Sequence, residues 1–193
     1  MLAALSVQIT EEEDERRRRE LDQLLLRVGQ GDREAFARLY SLTRTGVYGL
    51  ALSLLHHTQE AQDTAQDVFV RVWESAPGYR SQGSPMAWLL TVARNLARTR
   101  LRQSGRQVGL DEEEWEAIPA APPDVSAEDR ALLQQALSRL SGEERQIILL
   151  HAVSGLKHRE TAALLELPLS TVLSKYHRGL KKLHSLMKGE NGQ

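Results

Sequence analysis

LKHRETAALLELPLSTVLSKYHRGLKK, residues 156–182, carries two periodic stripes of opposite chemistry on one short segment. Val172, Tyr176, Leu180, Leu183 and Met187 recur at three- and four-residue steps, which places apolar side chains on one helix face and predicts a face turned to a core. Thr171, Ser174, Lys175, Arg178 and Lys182 recur at the same steps on the other side, bringing hydroxyl, ammonium and guanidinium donors and no carboxylate. Donors of that kind suit phosphates and base edges. Upstream, Arg159 to Leu165 reads as a short helix with Ala162 and Leu165 inward, followed by a turn at Glu166, Leu167 and Pro168. Pro168 suits the first turn of the next helix. Helix, tight turn and basic second helix predict a helix-turn-helix, whose second helix lies in a major groove with its N-terminal residues on bases. A helical hairpin with a solvated charged face is the plainer alternative.

The chain of 193 residues has room for one domain or two small ones, and a hydrophobic fraction of 41% with 5% aromatics suits helical packing in a soluble protein. There is no cysteine, which excludes disulfides, thiolate chemistry and cysteine-built zinc sites and fits a reducing cytoplasm. MLAALSVQIT has no basic n-region and is too short to span a bilayer, and EEEDERRRRE follows it; neither a signal peptide nor membrane insertion is expected. A net charge of -1 conceals segregation of sign along the chain. Arg94, Arg98, Arg100, Arg102 and Arg106 form one basic block, and Lys157 to Lys188 forms another interrupted only by Glu160 and Glu166. Between them lie Asp111, Glu112, Glu113, Glu114, Glu116, Asp124, Glu128 and Asp129, so the chain reads as two basic modules and an acidic connector.

The fold class expected is all-α, with two small helical domains joined by a flexible acidic linker and the C-terminal domain a helix-turn-helix. Residues 1–22 read as a poorly ordered or weakly helical polar lead without assigned function. The first domain spans 23–106. Within it Asp32 is an N-cap candidate before the stripe Phe36, Leu39 and Tyr40, and Val47 to Leu55 reads as a buried helix. In the run QEAQDTAQDVFVRVWESAP, Ala61, Ala65, Phe69, Val72 and Trp73 point inward while Asp63, Gln66, Asp67, Val70 and Glu74 point outward. Pro77 to Gly83 is a loop, and Ser84-Pro85 opens a helix that buries Trp88, Leu89, Val92 and Leu96 and shows Thr91, Asn95, Arg98 and Arg102. Residues 107–126 read as the linker, and 127–189 as the second domain, with Ser126 capping a helix through Leu140 and a capping box at Ser141 to Glu144. Gly155 ends the helix that this box opens.

Two stretches taken together, GDREAFARLY with DTAQDVFVRVWESAPGYRSQGSPMAWLLTVARNLARTRLR, then LSRLSGEERQIILLHAVSGLKHRETAALLELPLSTVLSKYHRGLKKL, resemble the extracytoplasmic-function (ECF) sigma factors of bacterial RNA polymerase. The resemblance covers most of the chain. It implies a non-catalytic subunit, without cofactor or metal, that binds core polymerase, recognises -10 and -35 promoter elements and starts transcription of a stress- or signal-responsive regulon. By the same resemblance Asp63, Gln66, Asp67, Val70 and Trp73 would dock on the clamp helices of the largest catalytic subunit, and the C-terminal domain on the flap of the second large subunit. Tyr79, Arg80, Ser81, Ser84, Thr91, Asn95, Arg98 and Arg102 would bind the -10 element, the loop Tyr79 to Ser84 taking a flipped base whose extrusion costs a few kcal/mol. Ser170, Thr171, Ser174, Lys175, Arg178 and Lys182 would bind the -35 element. An anti-sigma factor would cover these surfaces and hold the cytoplasmic protein, in some cases near a membrane. Leu173, Glu166 and Lys157-His158 depart from the residues common in similar proteins, which bears on base preference.

Trp88 has two readings, core residue or stacking platform, and its apolar stripe favours the core. The acidic linker also has two: a simple tether, or a nucleic-acid mimic in a polymerase channel in which Glu112, Glu113 and Glu114 would affect initial RNA synthesis. A free-standing helix-turn-helix regulator is a second functional class, but its N-terminal block would need a ligand pocket. A metalloenzyme using His56, His57, Asp63 and Asp67 is a third, and the chain has neither HExxH nor a phosphate-binding glycine loop.

Overall fold

The computed structural model describes residues 11–104 and 139–187, and every regular element among them is helical. The linker expected at 107–126 and nearly all of the helix expected from Ser126 lie outside the described residues. Helix α1 spans Glu11–Val28, α2 Arg33–Leu55, α3 Thr58–Ser75 and α4 Pro85–Gln103, with a 3-10 turn at Ala76–Gly78 before the loop that enters α4. Helices α5 (Gly142–Ala152), α6 (His158–Leu165) and α7 (Leu169–Met187) form the C-terminal group.

Of the lead read as poorly ordered or weakly helical, residues 11–22 are helical and the helix does not end at residue 22, because α1 runs through that boundary as a helix of 18 residues. Two features of the chain explain it. Acids stand four residues before arginines at Glu12 and Arg16, Glu13 and Arg17, Asp14 and Arg18, and Glu15 and Arg19, the orientation that supports an exposed helix. Farther on, Leu21, Leu24, Leu25 and Val28 fall on one face and are all buried. Each such side chain removed from water contributes about 1.5–3 kcal/mol. Gly29 follows at a close approach: a Cβ there would lie 2.6 Å from the Ala76 carbonyl oxygen.

Asp32 caps α2 as its sequence position predicts, accepting a hydrogen bond from the Ala35 N–H at 3.0 Å. The two apolar stretches expected around Phe36 and Val47 belong to one helix of 23 residues. Between them Thr43 is buried with its hydroxyl donating to the Leu39 carbonyl, and Gly46 is buried where two other segments press on the helix. Helices α1 to α4 enclose a core that contains Leu25, Leu39, Val68, Val72, Leu89 and Leu90.

The C-terminal group has a smaller core of Ile147, Ala162 and Val172. It does not stand apart from the first group: Leu150, Leu156 and Leu164 are buried in the same cluster as the core of α1 to α4. A Cβ on Gly46 of α2 would come within 2.7 Å of Ser154 Oγ and of Met86 Cε, and the Gln146 amide donates to Ser53 Oγ at 3.1 Å. The capping box that opens α5 is present, with Glu144 accepting from the Ser141 N–H at 3.1 Å and Ser141 Oγ accepting from the Glu144 N–H at 3.3 Å.

Candidate nucleic-acid interface

Helix α6, the turn at Glu166 to Pro168 and α7 make the expected helix-turn-helix. Glu160 accepts from the Lys157 N–H at 2.9 Å and fixes the start of α6. Pro168 precedes α7, and its carbonyl accepts from the N–H groups of Thr171 and Val172 in the first turn. Val172, Tyr176 and Leu183 turn inward to varying degrees, but Leu180 is 38% exposed, which corrects its expected place in the core. Gly179 takes that inner position, because a Cβ there would meet Ile148 Cδ1 at 2.6 Å. The inward stripe is therefore 172, 176, 179, 183, and the side chain of Met187 lies outside the described set.

The donor face of α7 is divided by two acids on α5. Lys182 Nζ lies 2.7 Å from Glu144, whose side chain is 2% exposed, and Lys175 pairs with Glu143. Burial alone would raise the Glu144 pKa, but Lys182 and the Ser141 N–H outweigh it and hold the carboxyl below the usual range. Lys175 and Lys182 thus fasten the second helix to its support as well as lending charge. Ser170 and Ser174 are exposed, Thr171 is half-buried, and Arg178 is the most exposed of the three predicted cations at 61%. This surface can present two hydroxyls and a guanidinium fork to phosphates and base edges.

Helix α4 starts at Ser84, whose Oγ accepts from the Ala87 N–H at 3.3 Å, with Pro85 in the first turn. Along its outer stripe Thr91, Asn95 and Arg102 are exposed and Arg98 is half-buried. Glu166, at the helix-turn-helix corner, reaches this stripe: its carboxylate lies 2.7 Å from Arg94 and 3.1 Å from Arg98. The two guanidinium groups, Arg94 foremost, hold Glu166 below the ordinary carboxylate range. Glu166 also sits in the left-handed region at φ 58°, unusual for a residue with a Cβ. The Arg94–Glu166 pair escapes sequence reasoning because the partners are far apart in the chain; the one available signal was that Glu166 is one of only two acids in a basic segment.

In the loop before α4, Tyr79 is buried and edge-on to Trp88 with ring centroids 5.2 Å apart, so both rings serve packing. The Tyr79 hydroxyl donates to Asp22 at 2.7 Å, and burial together with that carboxylate raises its pKa. Arg80 and Ser81 are exposed, and Ser81 Oγ donates to the other Asp22 oxygen at 2.5 Å. Arg18 donates to the Gly83 carbonyl at 3.2 Å. Neither Arg18 nor Asp22 stood out in the sequence, since each is one charge in a charged helix.

On α3, Gln66, Asp67 and Val70 are exposed, Val70 at 59%, and Asp63 is partly exposed. Asp67 pairs with Arg100 of α4 at 2.5 Å, and Asp63 accepts from Gln59 at 3.1 Å. Trp73 packs edge-on against Phe36 at 5.2 Å, consistent with its inward reading. The residues of the metalloenzyme alternative are spread over other tasks. His57 Nδ1 accepts from the Glu60 N–H as the α3 cap, and Asp67 belongs to the pair with Arg100.

Two packed helical groups, one of them a helix-turn-helix with a donor-bearing second helix, have the architecture of a DNA-binding protein. Residues 39–107 match the family Sigma-70 region 2, and residues 130–183 match Sigma-70, region 4. The ECF RNA polymerase sigma factor SigK of Mycolicibacterium vanbaalenii is 36% identical over 176 residues, covering 87% of this chain and 89% of its own length. SigK of Mycobacterium ulcerans is 32% identical over 175 residues, covering 87% and 94%. In fold the chain is similar to CnrH, solved in complex with the cytosolic domain of CnrY, with a TM-score of 0.59, 22% identity, and 89% and 99% of the two chains covered. It is also similar to the sigma factor RpoE of Bartonella quintana, solved with the anti-sigma factor NepR, with a TM-score of 0.60, 24% identity, and 79% and 96% covered. The chain belongs to the ECF sigma factors, subunits that direct RNA polymerase in transcription initiation without a catalytic step of their own. Among the described residues no helix is long and apolar enough to cross a membrane.

Proposed function

We propose that this sigma factor recognises a two-part promoter and opens its downstream element. The observation that carries the reading is the pair of separate donor surfaces. Thr91, Asn95 and Arg102 are exposed on α4 beside the loop Tyr79 to Ser84, and Ser170, Ser174 and Arg178 are exposed on α7. The first surface takes the non-template strand of the -10 element, with Arg80, Ser81 and Ser84 at the loop and Tyr79 and Trp88 as its packed floor. The second takes the -35 duplex, with Thr171, Lys175 and Lys182 adding to its charge and to its position.

Gln66, Asp67 and Val70, with the partly exposed Asp63 beside them and Trp73 behind, dock on the clamp helices of the largest polymerase subunit, and the C-terminal group on the flap of the second. Exposed Val70 among polar neighbours supports a protein contact there. An anti-sigma factor covers these surfaces until a signal releases them; the RpoE structure named above was captured with such a partner, and the CnrH structure with the cytosolic domain of CnrY. The test is reconstituted transcription with core polymerase on a library of genomic fragments, with start sites mapped. Expected is initiation downstream of a shared two-part sequence, and an absence of initiation above that of core alone would sink the reading.

A further inference from the structure

We infer that Arg18 and Asp22 of α1 are positioning residues that set the shape of the loop reading the -10 element, an inference that rests on the promoter reading above. The two residues are four apart, so they share one face of α1. From that face they hold alternate positions of the loop. Asp22 accepts from the Tyr79 hydroxyl at 2.7 Å and from Ser81 Oγ at 2.5 Å, using one carboxylate oxygen for each. Arg18 donates to the Gly83 carbonyl at 3.2 Å, where the backbone turns through φ +89° before the Ser84 cap.

Residues 79, 81 and 83 are thereby tied to a helix about sixty positions earlier, and Arg80 and Gln82 between them are exposed. Arg80 brings a guanidinium and Gln82 an amide with both donor and acceptor, groups that read base edges when held in one geometry. The anchor is itself fixed: Leu21 and Leu25, beside Asp22 on α1, are 3% and 0% exposed. Tyr79 alone of this loop reaches the core, so the polar residues that follow it take their order from this external support.

The experiment uses holoenzyme assembled from the full chain and core polymerase, with base preference read from a promoter library randomised across the -10 element. Asp22→Ala leaves the Tyr79 hydroxyl unpaired and releases Ser81, and the preference at the flipped base is expected to fall roughly tenfold, the discrimination carried by one well-held polar contact. Asp22→Asn keeps the shape and one acceptor oxygen and is expected to restore part of it. Arg18→Ala leaves both hydroxyl contacts and is expected to change preference while core affinity and duplex binding at the -35 element stay at native values. An unchanged preference in both Asp22→Ala and Arg18→Ala overturns the inference. So does a parallel loss of preference and core affinity, because that marks a merely structural pair. A flat profile from the native holoenzyme overturns the promoter reading and this inference with it, and it is recognised because the native chain itself fails.

Discussion

A methyl group at Gly29 would meet a backbone carbonyl, that of Ala76, at 2.6 Å, whereas one at Gly179 would meet the tip of the Ile148 side chain at the same distance. The backbone has nowhere to go. Gly29→Ala should cost about 1–3 kcal/mol, the range for overpacking a fitted contact. Gly179→Ala gains about 1 kcal/mol of helix propensity and loses a comparable amount in displacing Ile148, so its net change should be much smaller. Denaturant melts of the two variants check this, and a Gly179→Ala protein less stable than Gly29→Ala would refute the comparison. Neither close approach was legible in the sequence. Each depends on a residue more than thirty positions away, whereas the caps at Asp32, Ser84 and Ser141 were read correctly because donor and acceptor lie within one turn.

The elements of the helix-turn-helix meet in a ring cluster: His151 of α5 stacks on His158 of α6 at 4.4 Å, and Tyr176 of α7 lies within 5.0 Å of both rings. The His158 pKa is lowered, chiefly by burial and further by His151 and His177. The unfolded chain therefore binds a proton on His158 at a higher pH than the folded one. Stability from this group is complete above the unfolded value, near 6.5, and declines as pH falls from there toward the lower folded value. Glu144 adds a second loss at lower pH, below the usual glutamate range, where its bond to Lys182 is protonated away. Urea melts at pH 7.5 and 5.5 should show the native protein weakening between them and a His158→Phe variant weakening less; equal losses would remove His158 as the cause. Periodicity had placed Tyr176 inward, and the structure keeps it at the core edge. The same periodicity misplaced Leu180, because a glycine leaves no apolar mark in a stripe even when it occupies the tightest position on it.

Across the whole molecule, order and chemistry of the two helical groups were readable from charge segregation and periodicity. Their contact was not, since it is made of pairs such as Gly46 with Ser154 and Glu166 with Arg94 and Arg98 that no local pattern announces. In the proposed -10 contact, Arg98 would have to give up its pair with Glu166. Glu166→Gln should loosen the two groups and raise affinity for a single-stranded -10 oligonucleotide a few-fold, measured by fluorescence anisotropy with the isolated full-length chain. An unchanged affinity would mean that the pair does not compete with DNA. A further consequence concerns ions in solution. Ordinary DNA binders lose affinity steadily as salt rises, because released counterions return to the phosphates. Here the same ions also screen Glu166, an acid paired with arginines of the proposed binding face. The plot of log affinity against log salt should therefore flatten at low salt for the native chain and run straight for Glu166→Gln, so that the corner of the helix-turn-helix gives this protein a built-in buffer against changes in ionic strength.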